Sequence, residues 1–215
     1  MIKTRRVTGW AGGVVILSVL VLMAGCSVLP KADPEVVYTL PAHDVATRTA
    51  ATPPASRWSL RVLTPYSNRM VNSSRILVLP DGSEISVYKG VRWSDPAPVM
   101  VRNRLVNAFR GQAQIGAVSN DSSNLIADIE LGGDLNRFQV VYLKGVPTVD
   151  IQFDAFLVNP SNSHIIATRR FSVKHPVNGK EVPEVVQAFG EAADKLAVDS
   201  VTWVLKYGPG GVKGR

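Results

Sequence analysis

The chain has 215 residues, with 24 lysines and arginines against 17 aspartates and glutamates, which gives a formal charge of +7. Apolar residues make up 46% of the sequence and charged residues 19%, which excludes a fully disordered chain and allows one packed domain of ordinary size. The single cysteine excludes an internal disulfide framework and a cysteine-based structural zinc site.

Residues 1–25 have the pattern of a secretory signal peptide. Three basic residues within the first six positions precede an apolar run, Ala11–Ala24. This run has 14 residues, fewer than the roughly 18 that a membrane-spanning helix requires. We therefore predict that the segment directs export and is then removed.

The signal ends in Leu22-Met23-Ala24-Gly25-Cys26, which resembles the lipobox of bacterial lipoproteins, with Met23 at the usual aliphatic position. Cys26 is then the N-terminus, and several covalent acyl chains such as palmitate give it a stable membrane anchor. Ser27 follows the cysteine, and resemblance to the sorting pattern of enteric-type bacteria implies the outer membrane. The alternative is an ordinary cleaved signal that leaves Cys26 as a free, buried thiol.

Much of the positive charge belongs to the signal. Its removal leaves 21 basic and 17 acidic residues, so the mature chain carries +4. The remaining basic residues are scattered, without a basic run interleaved with aromatic residues. Since an exported protein also rarely meets nucleic acid, we predict no nucleic-acid partner.

Residues 26–57 are predicted to form the acylated N-terminus, a short strand and a tether. Val36–Leu40 has the composition of a strand, whereas Pro41–Ser56 is rich in alanine, threonine and proline. The second stretch has almost no large apolar side chains to bury, which predicts a surface loop.

The predicted domain, residues 58–207, begins with alternating apolar and polar residues, which indicates strands. Trp58–Val62 alternates in this way. Arg75–Leu79 and Glu84–Tyr88 flank Pro80–Ser83, whose Asp-Gly pair favours a tight hairpin turn. A first hairpin is therefore predicted.

Three more strands are predicted in the second half of the domain. In Leu125–Leu135 the odd-numbered positions from 125 to 131 are apolar, and acidic residues occupy the other face. Val149–Leu157 and Ile165–Val173 follow the same rule, and Asn159–Asn162 joins them as a second hairpin. Antiparallel strands with one face in water are the expected arrangement.

Two segments have helical spacing instead. Pro96–Arg110 is preceded by Ser94 or Asp95 as an N-cap and followed by Gly111 at the C-terminal cap position. Pro183–Val204 forms a longer amphipathic pattern with one broad apolar face.

The order of strands, helix, strands and helix predicts the fold class. It is typical of an α+β two-layer sandwich, in which a largely antiparallel sheet carries both main helices on one face. Residues 208–215 are rich in glycine and basic residues, which predicts a flexible tail.

The sequence predicts neither a metal site nor a cofactor. His43, His164 and His175 are far apart, and none has a second ligand-type residue at helical spacing. Gly132-Gly133 within a strand predicts a bulge or bend rather than a phosphate loop.

Two pairs of carboxylates are the remaining candidates for catalysis. Asp128 with Glu130, and Asp150 with Asp154, alternate on the predicted solvated face. Because no pocket is evident that could separate their pKa values, a charged outer surface is favoured over acid–base chemistry.

Several motifs together resemble one known family. The most specific is Tyr88–Pro96, in which a strand ending leads into Arg92-Trp93-Ser94-Asp95-Pro96. It is accompanied by the lipobox, Val37–Leu40, Ala127–Ile129 opening a strand that leads to Phe138, and a late helix with Ala188-Phe189 that ends near Trp203. This combination is similar to the ABC-type transport auxiliary lipoprotein family over nearly all of the mature chain.

The resemblance implies a non-enzymatic component of a lipid transport system, anchored at the periplasmic face of the outer membrane. Its implied partners are a substrate-binding protein of the mammalian-cell-entry class with an inner-membrane permease and ATPase. The chain has no nucleotide-binding motif, so energy must be supplied by another subunit. Assembly of copies into a homo-oligomer is a hypothesis that the sequence alone does not support.

The residues of Tyr88–Pro96 have two interpretations. In the structural one, Trp93 fills the core at a strand-to-helix corner, Arg92 pairs with a carbonyl or carboxylate, and Ser94 or Asp95 caps the helix that begins at Pro96. In the other, Arg92 and Trp93 form a partner-binding hot spot, where both residue types are enriched. The structural interpretation is favoured.

Two other functions stay open. One is a lipoprotein accessory of outer-membrane or cell-wall assembly, of the lipopolysaccharide-assembly or synthase-activator type. The other is a periplasmic hydrolase of unrecognised type. Neither explains the resemblance over Tyr88–Pro96.

Overall fold

The structure is a computed structural model that describes residues 34–42, 58–81, 83–123 and 125–209. The predicted signal peptide, Cys26, most of the predicted surface loop, His43 and the last six residues lie outside the described residues.

The described chain forms one eight-stranded sheet and two α-helices, which confirms the predicted α+β class. In chain order the elements are β1 (Val36–Tyr38), β2 (Trp58–Val62), β3 (Arg75–Leu79), β4 (Ser86–Trp93), α1 (Ala97–Arg110), β5 (Ile115–Asn120), β6 (Ile129–Leu143), β7 (Val146–Asn159), β8 (His164–Pro176) and α2 (Val182–Tyr207).

Long antiparallel pairs dominate the sheet. β6 pairs with β7 from Glu130 opposite Val158 to Leu143 opposite Val146, and β7 pairs with β8 along nearly its whole length. β3 also pairs antiparallel with β4. Both predicted hairpins are therefore confirmed, although the β3–β4 connection is longer than a two-residue turn.

The other edge of β6 is shared by two shorter strands. β2 pairs in parallel with the beginning of β6, with Leu60 opposite Ile129, and β3 pairs in parallel with its end, with Val78 opposite Val140. The sheet continues from β2 to β5 and from β3 through β4 to β1. These parallel pairings were not predicted, because alternation along a strand does not specify which strand lies beside it.

Strand direction shows from which side the chain enters β1. β3 and β6 run toward the β6–β7 turn, Lys144-Gly145; we call this the hairpin end. β4 is antiparallel to β3, and β1 is parallel to β4, so β1 runs away from the hairpin end. Glu35 therefore precedes β1 on its hairpin-end side, and β6 begins at the opposite end.

The two helices pack on one face of the sheet and against each other. α1 contacts β2 and β5, and α2 contacts β7 and β8, so the apolar stripes of both helices cover the inward side chains of the strands. α2 begins with a capping box, in which Glu181 and Glu184 each bind the other's backbone N–H. Its predicted extent is confirmed to within a few residues.

The segment after β1 is fixed to both helices. The guanidinium of Arg104 on α1 pairs with Asp194 on α2 and donates to the carbonyl oxygen of Pro41. Gly190 leaves room for this segment, since a Cβ there would lie 2.9 Å from the Pro41 carbonyl oxygen. The N-terminal strand is thereby held on the domain.

The predicted start of the strand at Leu125 is wrong. β6 begins at Ile129, and Leu125 and Ile126 are exposed. The physical reason lies in Asp128, whose carboxylate accepts hydrogen bonds from the backbone N–H and hydroxyl of Ser59 on β2, both at 2.7 Å. Before Ile129, hydrogen bonds to the Asp128 side chain thus take the place of the backbone hydrogen bonds that pair β2 with β6.

The predicted bulge at Gly132-Gly133 is also wrong. Both glycines pair in continuous register with β7, and the register shift lies between Leu135 and Arg137. The two glycines are needed because β6 and β7 approach each other closely here. A Cβ on Gly132 would lie 2.6 Å from the ring of Phe156, so glycine keeps β6 and β7 in contact.

Candidate functional site

Trp93 ends β4 and lies at the centre of the core. Its side chain is 0% exposed, and its ring meets those of Phe138 and Phe189 edge-on, with centroid distances of 6.1 and 5.2 Å. Such edge-to-face pairs stabilise beyond the area they bury. The placement fits the structural interpretation of Trp93, whose role stays a prediction.

Arg92 points to the other side of β4 and connects it to β1. Its Nε lies 3.3 Å from the Glu35 carboxylate, and its Nη1 donates to the Trp93 carbonyl oxygen at 3.2 Å. Tyr88, on the same strand, is half-buried, and burial raises the pKa of its hydroxyl, with a smaller effect from nearby Tyr142. These contacts join the edge strand to the sheet.

The expectation that Ser94 or Asp95 caps α1 is wrong. Pro96 occupies the N-cap position and no side chain caps the helix. The Ser94 hydroxyl instead donates to the Asp95 carboxylate at 3.0 Å. The chain is fixed here by backbone contacts, since the N–H of Ser94 donates to the Tyr38 carbonyl oxygen at 2.8 Å.

The candidate carboxylates are all engaged by neighbouring side chains. Glu130 lies 3.3 Å from Nη1 of Arg61. Two hydrogen bonds from Arg170, at 2.6 and 2.8 Å, hold the pKa of Asp154 below its usual value. Hydrogen bonds from the Ser59 hydroxyl and backbone lower the pKa of Asp128.

The prediction that Asp150 faces solvent is wrong. Its side chain is nearly fully buried, and its Oδ2 lies 3.4 Å from Nη1 of Arg137 on β6. Arg137 also donates to Gln152, which is buried beside it. A long basic side chain on the adjacent strand therefore covers this part of the polar face, which alternation alone does not reveal.

Replacing Ser59 by alanine should raise the pKa of Asp128 toward the ordinary value of about 3.9, because one of its two donors from Ser59 is lost. In the wild type the pKa of Asp128 is lowered on folding, so its carboxylate stabilises the fold above about pH 4. That stabilisation is lost as the pH falls through the folded-state pKa.

Carbon-detected NMR titration of the side-chain carboxyl would measure this shift. The free energies of unfolding of wild type and S59A should differ above pH 4 and converge in stronger acid. S86A, on the distant strand β4, is the control and should leave the Asp128 titration unchanged. An Asp128 pKa that is the same in S59A and wild type would contradict the assignment.

A groove of about 770 Å³ lies where β6 begins. Its charged lining is the Arg61–Glu130 pair and Asp128, and its apolar lining includes Ile126, Pro160 and Pro209. Since β6 starts here, the groove is at the end of the sheet opposite the hairpin end. Its walls come from β2, the segment before β6, the β7–β8 turn and the residues after α2.

Ile126 is the most exposed large apolar side chain of the groove, with 95% of its area open to solvent. Leu125 beside it is also more than half exposed. Sequence reasoning missed this feature because it assigned Leu125 to a strand face. The sequence did contain an indication of it, since the adjacent apolar residues Leu125 and Ile126 break the alternation that a half-buried strand requires.

The described residues contain no group of three or more His, Cys, Asp or Glu side chains that could hold a metal ion. His175 is instead paired with Glu191 of α2, with Nε2 and Oε2 2.7 Å apart. No helix within the described ranges is long and apolar enough to cross a membrane.

A family model described as the ABC-type transport auxiliary lipoprotein component matches residues 38–200. The chain belongs to this family. The match begins at Tyr38, the last residue of β1, and covers the Tyr88–Pro96 segment and most of α2, which confirms the resemblance drawn from the sequence motifs.

Two solved structures are similar to this chain in fold. Protein XCC0632 from Xanthomonas campestris is 29% identical, with a TM-score of 0.70, and the match covers 80% of this chain and 96% of that one. The structure of CT253 from Chlamydia trachomatis shares the fold, with 8% identity, a TM-score of 0.53 and coverage of 71% and 98%.

One uncharacterized protein of Bradyrhizobium diazoefficiens is 26% identical over 147 residues. The match covers 68% of this chain but only 39% of that relative. This auxiliary lipoprotein domain therefore corresponds to less than half of the relative's length.

Proposed function

We propose that the protein is a non-enzymatic lipoprotein, anchored through Cys26 to the outer membrane and facing the periplasm. There it docks the substrate-binding protein of a mammalian-cell-entry-type lipid transport system, whose permease and ATPase lie in the inner membrane. The family match over residues 38–200 is the observation that carries this proposal. The lipobox ending at Cys26 supports the anchor.

The state of the carboxylates supports a binding role rather than hydrolysis. A general acid needs a raised pKa, but the pKa values of Asp128 and Asp154 are lowered by their hydrogen-bond donors. Glu130 is paired with Arg61. These groups are held as fixed charges, which suits a surface that recognises a protein partner.

The groove is the candidate docking surface for the substrate-binding protein. It combines an exposed apolar side chain, Ile126, with the partly buried Arg61–Glu130 pair, and apolar anchors beside arginine are typical of interface hot spots. It lies at the end of the sheet opposite the hairpin end, and β1 runs away from the hairpin end, so the residue that enters β1, Glu35, lies on the side of β1 that faces away from the groove. A partner that spans the periplasm would meet this end.

Substitution of Cys26 by alanine should abolish the membrane anchor. We expect the wild-type protein to incorporate labelled palmitate and to appear in the outer-membrane fraction of the cells. C26A should incorporate none and appear in the periplasmic fraction, because no acyl chain is attached. Unchanged membrane fractionation of C26A would show that the anchor lies elsewhere.

The proposal is tested by affinity purification of the full acylated protein from crosslinked cell envelopes. We expect recovery of a mammalian-cell-entry-type protein with its permease and ATPase, reduced for C26A because the anchor raises the local concentration of the two partners. Recovery of an outer-membrane β-barrel or a cell-wall synthase instead would overturn the transport role and favour an assembly accessory.

A further inference from the structure

The hairpin end of the sheet carries several exposed apolar side chains, which we call the hairpin tip. Tyr142, Leu143 and Val146 flank the β6–β7 turn and are 47%, 40% and 47% exposed. Ile85, just before β4 at the same end, is 48% exposed. Exposed apolar side chains gathered at one end of a domain favour contact with another molecule or with a membrane.

The turn itself projects these side chains outward. Lys144 and Gly145 are the two residues between the strands, with φ angles of 52° and 80°. Positive φ at both positions is typical of the tight turn that matches the twist of a two-stranded hairpin. The tip is therefore a defined projection of the two longest strands of the sheet.

The direction of β1 allows the chain that precedes it to reach this end. Val36 pairs with Val91, five residues beyond Ser86, the first residue of β4. Ser86 is level with Val140 of β6 through Val78, three residues short of Leu143, so Val36 lies about 26 Å from the level of Leu143, measured along the strands. Cys26 precedes Val36 by ten residues, which span at most about 35 Å when extended. The chain is long enough for Cys26 to be level with the hairpin tip.

The charges at this end are mixed. Lys144 at the turn and Lys180 after β8 are exposed, but so are Asp81, Glu84 and Glu181. The mixture gives little net attraction to an anionic surface or to a strongly charged protein. The chemistry of the tip is instead that of residues at a lipid interface, where aliphatic side chains enter the acyl boundary and tyrosine lies at headgroup level.

We propose that the hairpin tip inserts into the interfacial layer of the phospholipid bilayer that holds the acyl chains of Cys26. This contact rests on the anchoring at Cys26 that is part of the proposed function. It orients the domain with the hairpin end on the membrane and the groove toward the periplasm. The single anchor is thereby supplemented by a second contact that limits rotation of the domain.

The test uses the full acylated protein in vesicles of phosphatidylethanolamine with a minority of phosphatidylglycerol. Because acylation consumes the thiol of Cys26, L143C supplies one free thiol for an environment-sensitive fluorophore. I126C, in the groove, is the matched control at another exposed apolar position. V146C is a second tip variant in case L143C folds poorly, and circular dichroism checks all three.

We expect the fluorophore at Leu143 or Val146 to shift to shorter emission wavelength on vesicle addition and to be quenched by lipids spin-labelled near the headgroup. The fluorophore at Ile126 should do neither. Equal, water-like emission from tip and groove while the protein floats with vesicles would overturn the inference and leave the anchoring intact. If the wild type failed to float with the vesicles, as is expected for C26A, both the membrane contact of the hairpin tip and the anchoring at Cys26 would be overturned.

Discussion

Replacing Trp93 by alanine should lower the free energy of unfolding by about 3–5 kcal/mol, the cost typical of removing a large buried aromatic side chain. The ring is fully buried and forms edge-to-face contacts with Phe138 and Phe189, so the cavity would open at the junction of β4, β6 and α2. Urea unfolding followed by far-ultraviolet circular dichroism, on protein expressed without residues 1–26, measures the effect.

Two control variants separate the contributions of Trp93. W93F keeps most of the ring volume and removes an indole N–H that is buried without a hydrogen-bond partner among the described residues, so it should destabilise much less than W93A. Y66A changes an exposed aromatic side chain and should stay within about 0.5 kcal/mol of wild type. A stable W93A that fails only to capture its partner would favour the hot-spot interpretation instead.

Gly133→Ala should be similarly destabilising, by roughly 2–6 kcal/mol, because it combines backbone strain with overpacking. Gly133 has a φ of 155°, and a Cβ there would lie 2.2 Å from the carbonyl oxygen of Asp154 and 2.9 Å from the Cα of Ala155 on β7. Backbone atoms cannot rotate away as a side chain can. The two central strands would have to separate at this point.

Gly145→Ala is the matched control for this prediction. Gly145 also has a positive φ, 80°, but a Cβ there would meet nothing within 4 Å. G145A should therefore cost only about 1–2 kcal/mol, from strain alone. The difference between the two variants in the same urea experiment isolates the interstrand clash. Equal destabilisation of G133A and G145A would show that β6 and β7 are not so closely packed at Gly133.

The local elements of this fold follow from sequence pattern. Both helices and both hairpins were predicted, because apolar spacing and turn residues report on structure within a few positions of the chain. The short strand Val36–Leu40 was also predicted and forms β1 over Val36–Tyr38. Its place beside β4, parallel to that strand, was not.

The features that were missed depend on contacts between distant segments. Asp150 is buried because Arg137, one strand away, lies against it. Ile126 is exposed because Ser59 holds Asp128 and delays the start of β6. Neither contact produces a periodic pattern of apolar and polar residues in the sequence. The groove and the hairpin tip therefore required the sheet order, whereas the family could be recognised from the Tyr88–Pro96 motif.

Site-specific photocrosslinking in living cells most directly tests the proposal that this lipoprotein docks a mammalian-cell-entry-type substrate-binding protein. A photoreactive amino acid at Ile126 samples the groove, and one at Val198, exposed on α2, is the control. We predict that Ile126 captures the substrate-binding protein and that Val198 does not. Capture of a β-barrel or cell-wall synthase at Ile126, or of no protein at all, would contradict the account.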